Sequence, residues 1–275
     1  MLITKSDGAT EEFNPAKFRR GLLKVGANKE LVEQVLAKVE KKMKPGMSTR
    51  EIYKIARNEL GKSAPGAKVR YNLRQALIRM GPAGYNFEKY IASILKTYGY
   101  KAQTPFELQG KCTTHEVDVT AEKDGQVIFI EAKFRRNFYD KIGIKTTLSS
   151  WARYMDLREG SKTHNATPNF NQCWVVTNAR FTNHSLEYAK CQGMTMLSWN
   201  YPKDKSLADM VNHRALYPLT IIDEIQNHEF ENFARHKLML CKEVESKTPD
   251  ELTRLTGIKG KRAERIIQVC KLATG

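Results

Sequence analysis

The sequence predicts an α/β chain, α+β in arrangement: an N-terminal hairpin with helices, a central mixed sheet flanked by helices, and a helical tail. Three observations carry this expectation. Residues 115–134, HEVDVTAEKDGQVIFIEAKF, alternate about Asp124-Gly125, a dipeptide suited to a two-residue turn because both positions need positive φ. Residues 14–80 instead read as a run of helices opened by capping signals. Residues 204–275 read as helical and carry no catalytic cluster. The expected boundaries are 1–84, 85–203 and 204–275.

MLITKSDGATEEF, residues 1–13, predicts a small hairpin around Ser6-Asp7-Gly8. Asn14-Pro15 supplies an N-cap followed by proline at the first helical position. Three more helices are expected near 28–43, 49–60 and 66–80, the second opened by the capping box Ser48-Thr49-Arg50-Glu51. Gly81-Pro82-Ala83-Gly84 ends the region. Next, Phe87, Tyr90, Ile91, Ile94 and Leu95 recur at helical spacing until Gly99. After the central hairpin come a helix near 141–157, a strand at 173–177, a helix over 185–192 and a strand at 194–199.

The central hairpin raises a chemical question. With Asp124-Gly125 as the turn, Lys123 pairs with Gln126, Asp118 opposes Glu131, and Glu116 opposes Lys133. Alternation puts these four with Thr120 on one face and Val117, Val119, Ala121, Ile128, Ile130 and Ala132 on the other, a good core face. His115 falls with the core face and reads as structural. Opposed carboxylates repel at cross-strand distance, and a divalent cation between them would relieve that repulsion. The other reading is a sheet with one wet face, where such charges are ordinary.

The chain has 275 residues and a formal net charge of +16. Lys+Arg against Asp+Glu is 18 to 8 over residues 1–84, 16 to 11 over 85–203 and 12 to 11 over 204–275. The excess is greatest in the first third, with a second basic cluster from Arg254 to Lys271, which points to a polyanionic partner. Five scattered cysteines without a CxxC pair argue against a zinc site or disulfide framework. With no signal peptide or long apolar run, a cytoplasmic protein with no membrane contact is expected. The sequence leaves open whether the chain acts alone or as a homodimer.

Ile3-Thr4-Lys5-Ser6-Asp7-Gly8, then Glu11, Phe13, Asn14 and Lys17, in a hairpin followed by helices, resembles the ATP-cone, the nucleotide-binding regulatory domain of ribonucleotide reductases and related regulators. The resemblance implies Lys5 and Lys17 near the triphosphate of ATP or dATP, with Glu11 and Thr49 beside them. Ser6 stands where that family usually has arginine, so weaker nucleotide binding is expected. No GxxxxGK[ST] pattern is present, so the nucleotide is expected to bind without hydrolysis. A small basic helical domain that contacts DNA directly is the alternative for this region.

Asp118 with Glu131-Ala132-Lys133, the helix NFEKYIASILKTYGY and the segment TNARFTNHSLEYAKCQGMTMLSW resemble the PD-(D/E)xK nuclease fold in its Mrr-type restriction endonuclease branch. The resemblance implies Mg²⁺ or Mn²⁺ on Asp118 and Glu131, Lys133 at the attacking water or the phosphate, and Glu88 near the metal or its waters. Hard oxygen donors are what such an ion takes. LTRLTGIKGKRAERII, residues 252–267, resembles a helix-hairpin-helix with Gly257-Ile258-Lys259-Gly260 as its turn. The glycines permit a tight turn at the phosphate backbone, and Lys259, Lys261, Arg262 and Arg265 would add charge. The alternative is a basic helical hairpin that only packs on the rest of the protein.

The expected function is metal-dependent DNA endonuclease activity with ATP or dATP as effector. The alternatives are a non-catalytic, nucleotide-sensing DNA-binding protein and, among enzymes, a repair or Holliday-junction nuclease.

Overall fold

Two short strands, β1 (Leu2–Thr4) and β2 (Thr10–Glu12), pair antiparallel and lead into α1 (Pro15–Lys24), α2 (Lys29–Lys42), α3 (Thr49–Ser63), α4 (Pro65–Tyr71) and α5 (Leu73–Arg79). The middle of the chain comprises α6 (Gly84–Thr97), β3 (Lys101–Gln103), β4 (Phe106–Gln109), β5 (Thr114–Val117), β6 (Val119–Lys123), β7 (Gln126–Lys133), β8 (Lys141–Ile142), α7 (Ile144–Gly160), β9 (Gln172–Thr177), β10 (Arg180–Phe181), α8 (Asn183–Gln192) and β11 (Thr195–Leu197). Then follow α9 (Leu207–Arg214), a 3-10 turn at Leu219–Ile221, α10 (Asn227–Arg235), α11 (Cys241–Val244), α12 (Pro249–Thr256) and α13 (Lys261–Thr274). The computed structural model describes residues 1–5, 8–81, 84–104 and 106–275. Ser6-Asp7 of the expected first turn and Pro82-Ala83 of the expected boundary lie outside the described residues.

The capping signals act as the sequence anticipates. Asn14 accepts the Lys17 amide at 2.9 Å, and Ser48 and Glu51 close a capping box at the start of α3. The helix expected over 66–80 is instead two, α4 and α5, divided at Asn72. Asn72 is buried and its side chain is engaged: it accepts from the Tyr53 hydroxyl at 2.8 Å and donates to Asp223 at 3.3 Å.

The chain packs as two units, Met1–Ala76 with Tyr217–Gln226 and Cys241–Gly275, and Leu77–Leu216 with Asn227–Leu240. The stretch after residue 203 is therefore shared: α9 and α10 belong to the second unit, and α11 to α13 to the first. In the first unit, Leu22, Val35, Val39, Ala56 and Leu60 form the core of α1 to α3. There α13 packs on α4 and α11, and Arg70 donates to the Leu272 carbonyl at 3.3 Å.

The second unit holds a five-stranded mixed sheet in the order β11-β9-β7-β6-β3. β7 runs antiparallel to β6 and parallel to β9. Helix α6 covers one face of the sheet at β3, β6 and β7. The other face carries α7 and α8, with Phe129, Tyr154, Leu157, Cys173 and Val175 in one apolar cluster. The wet-face reading of the hairpin therefore fails: Phe129 is 0% exposed and Glu131 3%. A strand with a parallel neighbour is commonly covered on both faces. No helix among the described residues is long and apolar enough to cross a membrane.

Candidate active site

Asp124 and Gly125 have φ of 49° and 75°, the left-handed pair a type I′ turn requires. The ladder then follows the expected register from Lys123 opposite Gln126 to Val119 opposite Ile130. There it ends. Asp118 sits at a bend between β5 and β6, and β5 leaves to pair with β4, with Glu116 opposite Glu107. The expected pairing of Glu116 with Lys133 is therefore not made. The Asp118 carboxylate accepts the Ala132 amide at 2.7 Å, a charge-assisted bond from side chain to backbone beyond the end of the ladder.

Glu131 lies on the central strand, buried beneath α7. Lys133, two residues on and so on the same face, donates to Glu131 Oε1 at 2.8 Å, and Arg153 of α7 donates to Glu131 Oε2. Arg153 also donates to the Glu116 backbone carbonyl. An unpaired carboxylate at this depth would be costly, and two cations offset that cost.

Glu88 sits on α6 beside the fully buried Phe87, within range of the charges of these carboxylates. Burial, followed by the charges of Asp118, Glu116 and Glu131, pushes it up to about 7. Burial and the Glu131 charge push Asp118 up to about 6, against the opposing pull of the Ala132 amide, Lys133 and Arg153. The structure thus brings Asp118, Glu131 and Lys133 together at the end of the β6–β7 ladder, with Glu88 within range of their charges. Mutual repulsion among carboxylates favours a cation there, and oxygen donors of this kind suit Mg²⁺ or Mn²⁺. Among the described residues no group of three acidic, histidine or cysteine side chains is gathered to hold a metal as arranged; both Glu131 oxygens are engaged by Lys133 and Arg153.

Sequence reasoning missed Arg153. Its only signal was a cation next to the buried positions Ser150, Tyr154 and Leu157 of α7, and helical spacing does not say which strand residue a helix side chain meets. His115 is structural, with Nε2 2.8 Å from Asp156. Partial burial works against ionising Asp156, but hydrogen bonds from His115 and Cys112 outweigh it and hold the carboxyl at about 2.

In the first unit, Lys5 lies 2.6 Å from Glu11 Oε2, and Lys17 lies 3.8 Å from Glu11 Oε1. A parallel bridge between Thr4 and Ser48 sets Thr49, the first residue of α3, beside the end of β1. Three of the residues expected at a nucleotide, Lys5, Glu11 and Lys17, are therefore linked, and Thr49 follows the bridge to β1. In the tail, Gly257 and Gly260 adopt φ of 78° and 58°, and Ile258 between them is buried. Lys259 and Lys261 are exposed, whereas Arg262 donates to the Glu224 carbonyl and Arg265 pairs with the Glu224 carboxylate at 3.3 Å.

Comparison with known proteins bears on the family. An ATP cone domain model matches residues 1–75, and a restriction endonuclease model, that of the Mrr catalytic domain, matches residues 81–200. An uncharacterized protein of Archaeoglobus fulgidus is 30% identical over 185 residues, 67% of this chain and 100% of that protein. A crystal structure of a protein of unknown function superposes with a TM-score of 0.60 at 29% identity, covering 68% of this chain and 96% of that one. The chain therefore belongs to the restriction endonuclease family of the Mrr type and carries an ATP-cone domain ahead of its nuclease domain.

Proposed function

We propose that the protein is a metal-dependent DNA endonuclease whose activity responds to ATP or dATP. The observation that carries this reading is the convergence of Asp118 and Glu131 with Lys133 where the β6–β7 ladder ends, Lys133 Nζ standing 2.8 Å from Glu131. A scaffold gains nothing from setting like-charged carboxylates beside one another where water is scarce.

In the reaction, a water oxygen bonds to phosphorus, a bridging P–O bond breaks, and the leaving oxygen takes up a proton. Asp118 and Glu131 would hold Mg²⁺ or Mn²⁺, which when bound supplies charge neutralisation at the phosphate and a more acidic water. Lys133 Nζ orients the attacking water or a non-bridging phosphate oxygen. Glu88, pushed up to about 7, is poised to exchange a proton near neutral pH. Arg153 holds the Glu131 carboxylate in its rotamer. DNA contact is assigned to the turn 257–260 with Lys259 and Lys261, and Arg262 and Arg265 would contribute only on leaving Glu224.

The test is incubation of plasmid and linear DNA with the protein in Mg²⁺, Mn²⁺ or EDTA. Cleavage that needs a divalent ion and disappears in Asp118→Ala, Glu131→Ala and Lys133→Ala, each still folded and still binding DNA, is expected. Unchanged cutting by either carboxylate variant would remove the catalytic assignment.

A further inference from the structure

Beyond the active site, a second feature of the nuclease unit stands out. Strands β8 and β10 form a separate two-stranded parallel sheet in which Lys141 and Arg180 are register partners, both exposed. Like charges side by side on a sheet destabilise it. Arg136 and Lys145 add two exposed cations nearby in sequence. Among the described residues none of these four makes an ion pair, and Asp140, next to Lys141, is one carboxylate against four cations. Arg180 instead lies over the Tyr139 ring, 5.3 Å from its centroid.

Apolar side chains gather at the same place. Among the described residues of this unit, the large hydrophobic side chains left exposed are Ile144 (36%), Leu148 (42%) and Tyr201 (40%). Ile144 and Leu148 are one turn apart at the start of α7, and Tyr201 packs edge-on against Phe181 of β10. Exposed apolar groups rimmed by charge mark interaction surfaces.

The position relates this patch to the chemistry. β7 and β9 end side by side at Lys133 and Thr177, and Arg180 is three residues past Thr177, at most about 10 Å of chain. Along α7, the row Lys145, Ser149, Arg153 runs from the patch to the arginine on Glu131, about 12 Å at 1.5 Å per residue. That distance is about three to four base pairs of duplex at 3.4 Å each.

We infer that the surface formed by β8, β10 and the first turns of α7 seats duplex DNA to one side of the cleaved bond. Arg136, Lys141, Lys145 and Arg180 meet backbone phosphates, and Ile144 and Leu148 press on sugars and base edges. Unpaired cations answer the charge of a polyanion, and apolar side chains beside them are the means by which minor-groove binders grip and distort a duplex. This assignment rests on the nuclease reading above.

The test is equilibrium binding of the full-length protein to duplex DNA in EDTA over a range of salt. The variant Arg136→Ala/Lys141→Ala/Lys145→Ala/Arg180→Ala should bind at least about tenfold more weakly, its salt slope reduced by about 3 to 4 at ~0.9 per phosphate lost. Arg136→Lys/Arg180→Lys should keep the slope, and Ile144→Ser/Leu148→Ser should lower affinity with the slope retained. Unchanged slope and affinity in the fourfold variant, with its thermal transition intact, would overturn the surface alone. Failure of the wild-type protein to bind duplex DNA would overturn the nuclease reading and the surface with it.

Discussion

Arg153 on α7 reaches across to the buried Glu131 carboxylate on β7 and, with its other amino group, to the Glu116 carbonyl just before the bend at Asp118. One side chain thus ties together helix, central strand and the bend that carries the second carboxylate. Removing it leaves Glu131, whose side chain is 4% exposed, with Lys133 alone. Arg153→Ala should therefore lose about 3 kcal/mol in urea denaturation without metal, the low end for a broken buried pair, because the guanidinium is itself partly exposed. Mg²⁺ should narrow the difference by supplying the missing charge. A loss below ~0.5 kcal/mol would show that the contact does not carry the strand.

The carboxylate cluster predicts a pH dependence whose sign is opposite to that of an ion-paired acid. Glu88 rises from an ordinary 4.5 to about 7 and Asp118 from 3.8 to about 6, burial being the first cause of each. Between those values the folded state binds more protons than the unfolded, so stability from these groups is present at low pH and is lost as pH rises toward 7. The metal-free protein should thus lose thermal stability between pH 5 and 7 in EDTA through these two groups. Glu88→Gln should flatten the upper part of that fall. Divalent-ion binding, by calorimetry, should strengthen over the same interval, because the ion needs the deprotonated form.

Lys5 and Lys17 share Glu11 as a partner in the ATP-cone domain, so two cations stand at one place where a nucleotide phosphate would compete with the carboxylate. Calorimetry should detect ATP or dATP binding without hydrolysis. Lys5→Ala/Lys17→Ala should weaken it at least about tenfold, charged hydrogen bonds contributing roughly 1.5–3 kcal/mol. A nucleotide changes cleavage only if it binds one state better than another, so cleavage with and without ATP should differ. Absence of binding at millimolar nucleotide would leave the basic surface of this domain as a DNA contact.

Deleting the tail is not a clean test of the DNA contact proposed for it, since α13 packs against α4 and Arg70 bonds to the Leu272 carbonyl. Lys259→Ala/Lys261→Ala removes charge from the exposed turn and leaves that packing alone. The salt slope of DNA binding should fall by about 2. An unchanged slope would make α12 and α13 a structural hairpin.

Much of the local structure around the site is legible in the sequence alone. Asp124-Gly125 determined its own turn type, the turn set the register from Lys123 to Val119, and alternation identified the core face, because these are local properties of adjacent residues. Asn14, Ser48 and Glu51 likewise act within one turn of chain. What local pattern could not reach was the bend at Asp118, where a side chain bonds to Ala132 and β5 pairs with β4. It also could not reach the burial of Glu131 under α7 or the meeting of Arg153 with it. Nor does sequence order say that α11 to α13 pack with the first helices. These are contacts between residues distant in the chain, chosen by which apolar faces cover one another, and only tertiary packing decides them.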